Sequence, residues 1–279
     1  MKTMHLFAGA GGGLLADLIL GHEPIAAIEW DAYCCQVLRE RAADGWFPGL
    51  RVYEGDVRLF DPSEYEGRVD CIHAGFPCQD ISAAGSGVGI DGPKSGLWRE
   101  VMRAIDAIRP RFIFFENSPR IRTKGRDRII AEIVARGYAW RDGIIGAADV
   151  GAPHQRDRWF CIAANSDGLR ELQSQGRERD ERGWSYHKTE NDADLMRERR
   201  SHGSWVSTAE KGTHFRASAY MGAGQRPDTN GASWFKAEPD VGRLVYGMAD
   251  GVVSAAIKAL GNGQVPLQAA TAWRLLGGP

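Results

Sequence analysis

The chain has 279 residues, a formal net charge of -1 and 43% apolar residues. That length suits one large domain, or a large and a small one, with a core that needs no staples. Near-neutrality excludes a global positive field for gripping nucleic acid, so any such binding must use a local basic face. The five cysteines, Cys34, Cys35, Cys71, Cys78 and Cys161, are odd in number and make neither a CxxC pair nor a Cys/His cluster at zinc spacing. This argues against disulfides and a structural metal and for a reducing compartment. No stretch reaches the roughly 18 uninterrupted apolar residues of a membrane span, so the expectation is a soluble, cytoplasmic protein with no membrane partner.

Through residue 164, short apolar runs alternate with stretches of helical period, the pattern of a mostly parallel α/β sheet with helices on both faces. Strands are predicted at 3–8, 24–29, 51–54, 69–73, 111–116, 138–146 and 158–163, and helices at 31–43, 96–108 and 125–137. From Asn165 to Lys236 aliphatic residues nearly vanish, and 12 Lys plus Arg face 11 Asp plus Glu. Such a segment cannot build a large core. Apolar periodicity returns after Pro239, and "VPLQAATAWRLL" predicts a closing helix that docks on the first domain. The expected organisation is a first domain over 1–164, a polar insertion over 165–237, and a return to the first domain over 238–279.

Ligands of open α/β sheets bind beyond the carboxyl ends of the strands, and the unusual residues gather there. "LFAGAGGG" follows the first strand, Glu29 ends the second, Asp56 follows the third, "GFPCQ" the fourth and "ENS" the fifth. The glycines Gly9, Gly11, Gly12 and Gly13 let backbone approach a ligand, and Glu29, 20 residues after Gly9, stands where an acid can hold ribose hydroxyls. Leu14 occupies the place of the third glycine of GxGxxG, and no GK[ST] follows, so neither a dinucleotide nor a P-loop phosphate site is supported. Two acids beside an adenosine suit a cofactor without phosphates, which points to S-adenosylmethionine. The alternative for the glycines is simple tight-turn chemistry.

Cys78 lies in a Gly/Pro-rich loop at a strand end, where a thiol can be exposed and its pKa lowered. The other four cysteines read as apolar filler on strands or a helix. Glu116 and Asn117 end the apolar strand "FIFF", which would bury the carboxyl and raise its pKa. "NSP" also reads as a turn. In "GAPHQRDRWF", Arg156 and Arg158 point to one side of a strand, either into the site or as a solvated edge.

At these residues the sequence resembles the DNA (cytosine-5)-methyltransferase family over most of 4–164 and 238–276. "LFAGAGGG", "IEWD", "GD" at 55 and 56, "GFPCQDIS", "SGLW" at 95–98, "FENS", "PHQRDR" and "LGNGQVP" resemble its ordered blocks. The resemblance implies a Rossmann-like S-adenosylmethionine-dependent methyltransferase fold with a target-recognition insertion. It places the cofactor on Phe7, Ala8, Gly9, Gly11, Gly12, Glu29, Trp30, Asp56, Val57, Gly75, Pro77, Leu97, Asn262 and Val265. Cys78 falls on the nucleophile, Glu116 on the acid that protonates the base ring, and Arg158 on the residue that holds the cytosine carbonyl, with Arg156 and Asn117 supporting. DNA contacts fall on Pro77, Gln79, Ser82 and Arg158. The sequence departs from the family pattern at His5, where many members carry an acid, at His154 and at Ser118.

The implied reaction is methyl transfer to carbon 5 of a cytosine flipped out of double-stranded DNA, with no metal. The implied setting is a prokaryotic or phage-encoded monomer, partnered by a cognate restriction endonuclease. The rivals are an RNA (tRNA) cytosine-5 methyltransferase on the same fold, a catalytically silent DNA-binding paralogue, and a nicotinamide oxidoreductase, which would leave Cys78 unexplained.

Overall fold

A computed structural model describes residues 1–77, 97–174 and 250–279. Within them a seven-stranded sheet forms from β1 (Lys2–Leu6), β2 (Glu23–Glu29), β3 (Arg51–Glu54), β4 (Cys71–Ala74), β5 (Phe112–Asn117), β6 (Ala139–Gly146) and β7 (Asp157–Ala164). Its spatial order is β3-β2-β1-β4-β5-β7-β6. The pairs from β3 through β5 are parallel, whereas β7 runs antiparallel to both β5 and β6. The chain winds outward from β1 to β3, then returns to place β4 on the other side of β1. That reversal opens a crevice at the carboxyl ends of β1 and β4.

Alternation along the strands separates two apolar layers. Met4, Leu6, Ile72, Ala74, Ile113, Phe115, Trp159 and Cys161 face one side. There they meet helices α3 (Trp98–Ile108) and α5 (Arg126–Ala135), the latter just after a single turn, α4 (Ile121–Lys124). Phe112, Phe114, Phe160 and Ile162 face the other side, where α1 (Gly12–Leu20) and α8 (Pro266–Leu275) pack together. Trp273 of α8 is fully buried against Phe112 and Phe114, with ring centroids 6.0 and 5.3 Å away. The predicted closing helix therefore docks as its apolar period requires.

Local chemistry sets the boundaries. The first strand stops at Leu6, two residues earlier than expected, because Phe7 turns to φ 59° and Gly9 to φ 55°. Helix α2 (Ala32–Ala43) starts where Asp31 accepts from the backbone N–H groups of Tyr33 and Cys34 at 3.1 and 3.3 Å. Helix α1 was hidden in the sequence by its glycines; it begins after left-handed Gly11 and ends at left-handed Gly21. Helix α6 (Ser166–Ser174) was also not expected. Its start docks on the sheet: Asn165 Nδ2 donates to the Pro110 carbonyl at 3.2 Å, and Glu171 pairs with Arg111. The first turns beyond residue 164 thus pack with the sheet domain. The rest of the polar insertion, up to residue 237, lies outside the described residues. Helix α7 (Asp250–Asn262) leads into α8.

Candidate active site

The crevice has a cofactor-like half and an acid-base half. In the first, the loop after β1 folds back on β2, with the Ala8 N–H donating to the Ile28 carbonyl at 3.2 Å. Glu29 then draws the loop in. Its Oε2 accepts from Gly9 N at 2.7 Å, and its Oε1 accepts from the backbone N–H groups of Trp30 and Asp31 at 2.9 Å each. Each carboxylate oxygen offers about two lone pairs, so Oε2 keeps one for a hydroxyl. A side chain on Gly9 would meet nothing within 4 Å, so this turn faces open space. Trp30 stands beside it with its ring 77% exposed.

Asp56 is held by Arg58, whose Nε lies 2.9 Å from both carboxylate oxygens, and these hydrogen bonds lower its pKa to about 2. Val57, itself buried, opens a 3₁₀ turn, and its carbonyl accepts from Arg103 at 2.9 Å. Leu97 sits at the N-cap of α3, Asn262 ends α7, and Val265 is the N-cap of α8. The exposed Trp30, the open turn and the Glu29 carboxyl fit an adenosine-bearing cofactor.

In the second half, Glu116 near the end of β5 lies opposite Phe160 of β7. Arg158 Nε reaches its Oε1 at 2.8 Å. Burial pushes the Glu116 carboxyl up from its ordinary range, against the opposing pull of Arg158, Arg156 and the Gln264 amide. Arg156 lies one residue before β7 and faces elsewhere: its Nη1 and Nη2 donate to the carbonyls of Gly261 and Gly263 at 2.7 and 2.6 Å. It ties the last sequence block to the strand.

Asn117 is buried. Its Nδ2 donates to the Phe76 carbonyl at 3.1 Å and its Oδ1 accepts from Ser118 N at 2.8 Å. It therefore clamps the stem of the loop two residues before Cys78. Phe76 packs on Trp98 at 5.0 Å, and Trp98 packs on Phe115 at 5.2 Å, which gives that stem an aromatic floor. Gly75 and Pro77 belong to the stem, whereas Cys78, Gln79 and Ser82 lie outside the described residues. The four described cysteines are buried, and burial raises their thiol pKa values, to about 12 at Cys34 and about 11 at Cys35.

Two features escaped sequence reasoning. Gln264, in the loop between α7 and α8, reaches into the site; its block was recognised, but nothing in the sequence marked its amide. The other is a buried cluster around Asp17. Its Oδ2 accepts from Thr3 Oγ1 and faces His5 Nε2 at 2.7 Å, and its Oδ1 faces His22 Nδ1 at 3.3 Å and His73 Nε2 at 3.5 Å. The ligand atoms of His5, Asp17 and His73 lie within 4.8 Å of one another, a spacing open to a metal ion. The oxygens of Asp17 are instead engaged by a hydroxyl and imidazoles. His5, the departure noted in the first strand, thus takes its acid from α1.

A C-5 cytosine-specific DNA methylase family model matches residues 1–254. The chain belongs to this family. The resemblance drawn from the sequence blocks is borne out. Among relatives of these methylases, the type II methyltransferase M.CviJI of Paramecium bursaria Chlorella virus IL3A is 33% identical over 168 residues, covering 60% of this chain and 44% of its own length. The type II methyltransferase M.NgoBI of Neisseria gonorrhoeae is 31% identical over 165 residues, covering 58% and 50%. The chain thus spans about half the length of the curated relatives it matches. A putative DNA modification methyltransferase encoded within an Escherichia coli prophage overlays at a TM-score of 0.49 with 25% identity, over 60% of this chain and 47% of the other.

Proposed function

We propose that the protein transfers a methyl group to carbon 5 of a cytosine in double-stranded DNA through a covalent adduct with Cys78. The observation that carries this is the largely buried Glu116, paired with Arg158 at 2.8 Å and set beside the loop stem that Asn117 clamps. S-adenosylmethionine, when bound, supplies an electrophilic methyl on a sulfonium. Glu29, Trp30 and the open Gly9 turn would hold it, with Phe7, Asp56, Val57, Leu97, Asn262 and Val265 around them.

Carbon 5 of cytosine is a poor nucleophile. Addition of the Cys78 thiolate at carbon 6 makes the ring an enamine whose carbon 5 can take the methyl, the sulfur–methyl bond breaking so that the donor would leave as a neutral thioether. A neutral Glu116 protonates ring nitrogen 3 as negative charge builds on the ring, and Arg158 bonds the carbonyl where that charge appears. Loss of the carbon 5 proton to a base then expels the thiolate. The target atom is stacked inside a duplex, so the base must be everted, at a cost of a few kcal/mol. In this reading the segment 165–237, Gln79 and Ser82 hold the opened DNA, and the enzyme works in the cytoplasm as a monomer beside a cognate restriction endonuclease. Among the described residues no helix is long and apolar enough to cross a membrane.

Bisulfite sequencing of plasmid DNA from cells expressing the full chain tests the reading. The expected result is protection of cytosines within one recurring sequence word. Conversion of every cytosine, with tritiated methyl appearing in tRNA instead, would overturn it.

A further inference from the structure

Three glycines crowd around one residue, Gly12 against its backbone and Gly13 and Gly75 against its side chain. A Cβ on Gly12 would lie 2.2 Å from the Gln264 carbonyl oxygen, and one on Gly13 would lie 2.9 Å from Gln264 Oε1. A Cβ on Gly75 would meet Gln264 Nε2 at 3.2 Å and Glu116 Oε2 at 3.3 Å. The first block, the stem of the nucleophile loop and the catalytic acid therefore converge on one amide from the last block. That amide is held from behind. Arg156 grips the carbonyls of Gly261 and Gly263, and Gln268 Nε2 bonds the carbonyls of Ile145 and Arg156 at 2.7 and 2.6 Å. Both anchors belong to β6, α8 or the approach to β7, so the loop cannot shift without moving the sheet edge.

We propose that Gln264 is a positioning residue for Glu116: its side-chain amide hydrogen-bonds the carboxyl and fixes it beside Arg158, with Gly13 and Gly75 small enough to admit that amide and Gly12 small enough to admit the backbone that carries it. This rests on the role given to Glu116 above.

The chemistry explains why an amide is used. An acid that gives its proton in every turnover must also regain it, so its pKa has to stay near the working pH. Burial alone drives Glu116 upward. An N–H donor stabilises the carboxylate and restrains that rise without adding a charge to a crevice that already holds two guanidiniums. The arrangement has a visible cost: among the described residues, Gln264 Oε1 is buried without a hydrogen-bond partner. A residue chosen for packing alone would not bury an orphan acceptor.

The test uses the full chain carrying Gln264→Met, which keeps the length of the side chain and removes the donor, and Gly75→Ala, whose methyl would press between Nε2 and Oε2. The protonation of Glu116 is followed by its carboxyl infrared band, assigned with Glu116→Gln, without DNA or cofactor. The expected result is an upward shift of the titration midpoint by half a pH unit or more in Gln264→Met, and a smaller one in the same direction in Gly75→Ala. In methyl transfer, kcat should fall at least fivefold in Gln264→Met, with the basic limb of its pH profile moved upward by a similar amount and the KM for the methyl donor within twofold. A folded Gln264→Met protein whose Glu116 midpoint stays in place overturns the proposal. Because the infrared titration needs no methyl transfer, this outcome is separate from failure of the proposed reaction.

Discussion

Arg158 on β7 and Glu116 on β5 meet at 2.8 Å across the antiparallel pair that borders the parallel run of the sheet. Reversal of β7 lets a residue near its start stand beside one near the end of β5, so a guanidinium and a largely buried carboxyl share one end of the sheet. Glu116→Gln keeps the shape and removes the proton. Methyl transfer to duplex DNA should fall by about 10²- to 10⁴-fold, measured as tritium incorporated under single-turnover conditions, while affinity for the methyl donor stays within twofold. Activity equal to wild type would remove Glu116 from the mechanism.

Asn117 contributes by position. Asn117→Ala frees the Phe76 carbonyl and the stem before Cys78, and the lost hydrogen bond leaves a buried acceptor at a cost of about 1–3 kcal/mol. Covalent trapping by a 5-fluorocytosine duplex should slow at least tenfold, because the stem that leads to Cys78 is no longer tied to β5. An unchanged trapping rate would show that the clamp is irrelevant to the nucleophile.

The Asp17 cluster makes the fold sensitive to acid. Although burial opposes ionisation, His73 and His5 hold the Asp17 carboxyl well below its ordinary range, and burial lowers the His73 imidazole to about 3. Both folded-state values lie below the unfolded ones, so the unfolded chain takes up protons first. Stability should therefore be fullest above pH 6.5, decline first through His73 as pH drops toward about 3, and decline further through Asp17 below 3.8. Asp17→Asn should cost about 1–3 kcal/mol at pH 7 through the lost buried hydrogen bonds, read from urea unfolding. A flat stability profile between pH 7 and 4 would contradict this account.

The glycines of the first block should separate by mechanism. At Gly12 an added methyl meets backbone of the α7–α8 loop at 2.2 Å, which something rigid must relieve. Gly12→Ala should destabilise by about 1–3 kcal/mol and lower activity through the displaced loop. Gly9→Ala meets nothing and carries only the strain of φ 55°, about 1–2 kcal/mol. Thermal melts of the two variants with and without S-adenosylmethionine distinguish them: Gly12→Ala should melt lower without ligand, whereas Gly9→Ala, whose methyl enters the open space assigned to the cofactor, should lose most of its ligand-induced shift.

Strand positions, the order of the blocks and the acid at the end of β5 are legible in the sequence, because period and short-range chemistry leave direct marks. Four-residue β3 is found at 51–54 as expected, and α2 follows from Asp31 as a cap. Helix α1 is not legible, since four glycines in five residues suppress helical propensity and only packing against α8 compensates. Nor is the partner of His5, which lies 12 residues away on another element.

The sequence by itself determined an α/β sheet with its unusual residues gathered at strand ends and a carboxyl near the end of an apolar strand. It did so because side-chain alternation and strand length are local properties. Only the tertiary structure decided which groups meet there: that Arg158 rather than Arg156 pairs with Glu116, that Arg156 binds the last loop, and that Gln264 fills the space the glycines leave. Those contacts depend on strand order, on the antiparallel turn of β7 and on the docking of α8. These are set by the packing of the whole chain, and no short stretch of residues encodes them.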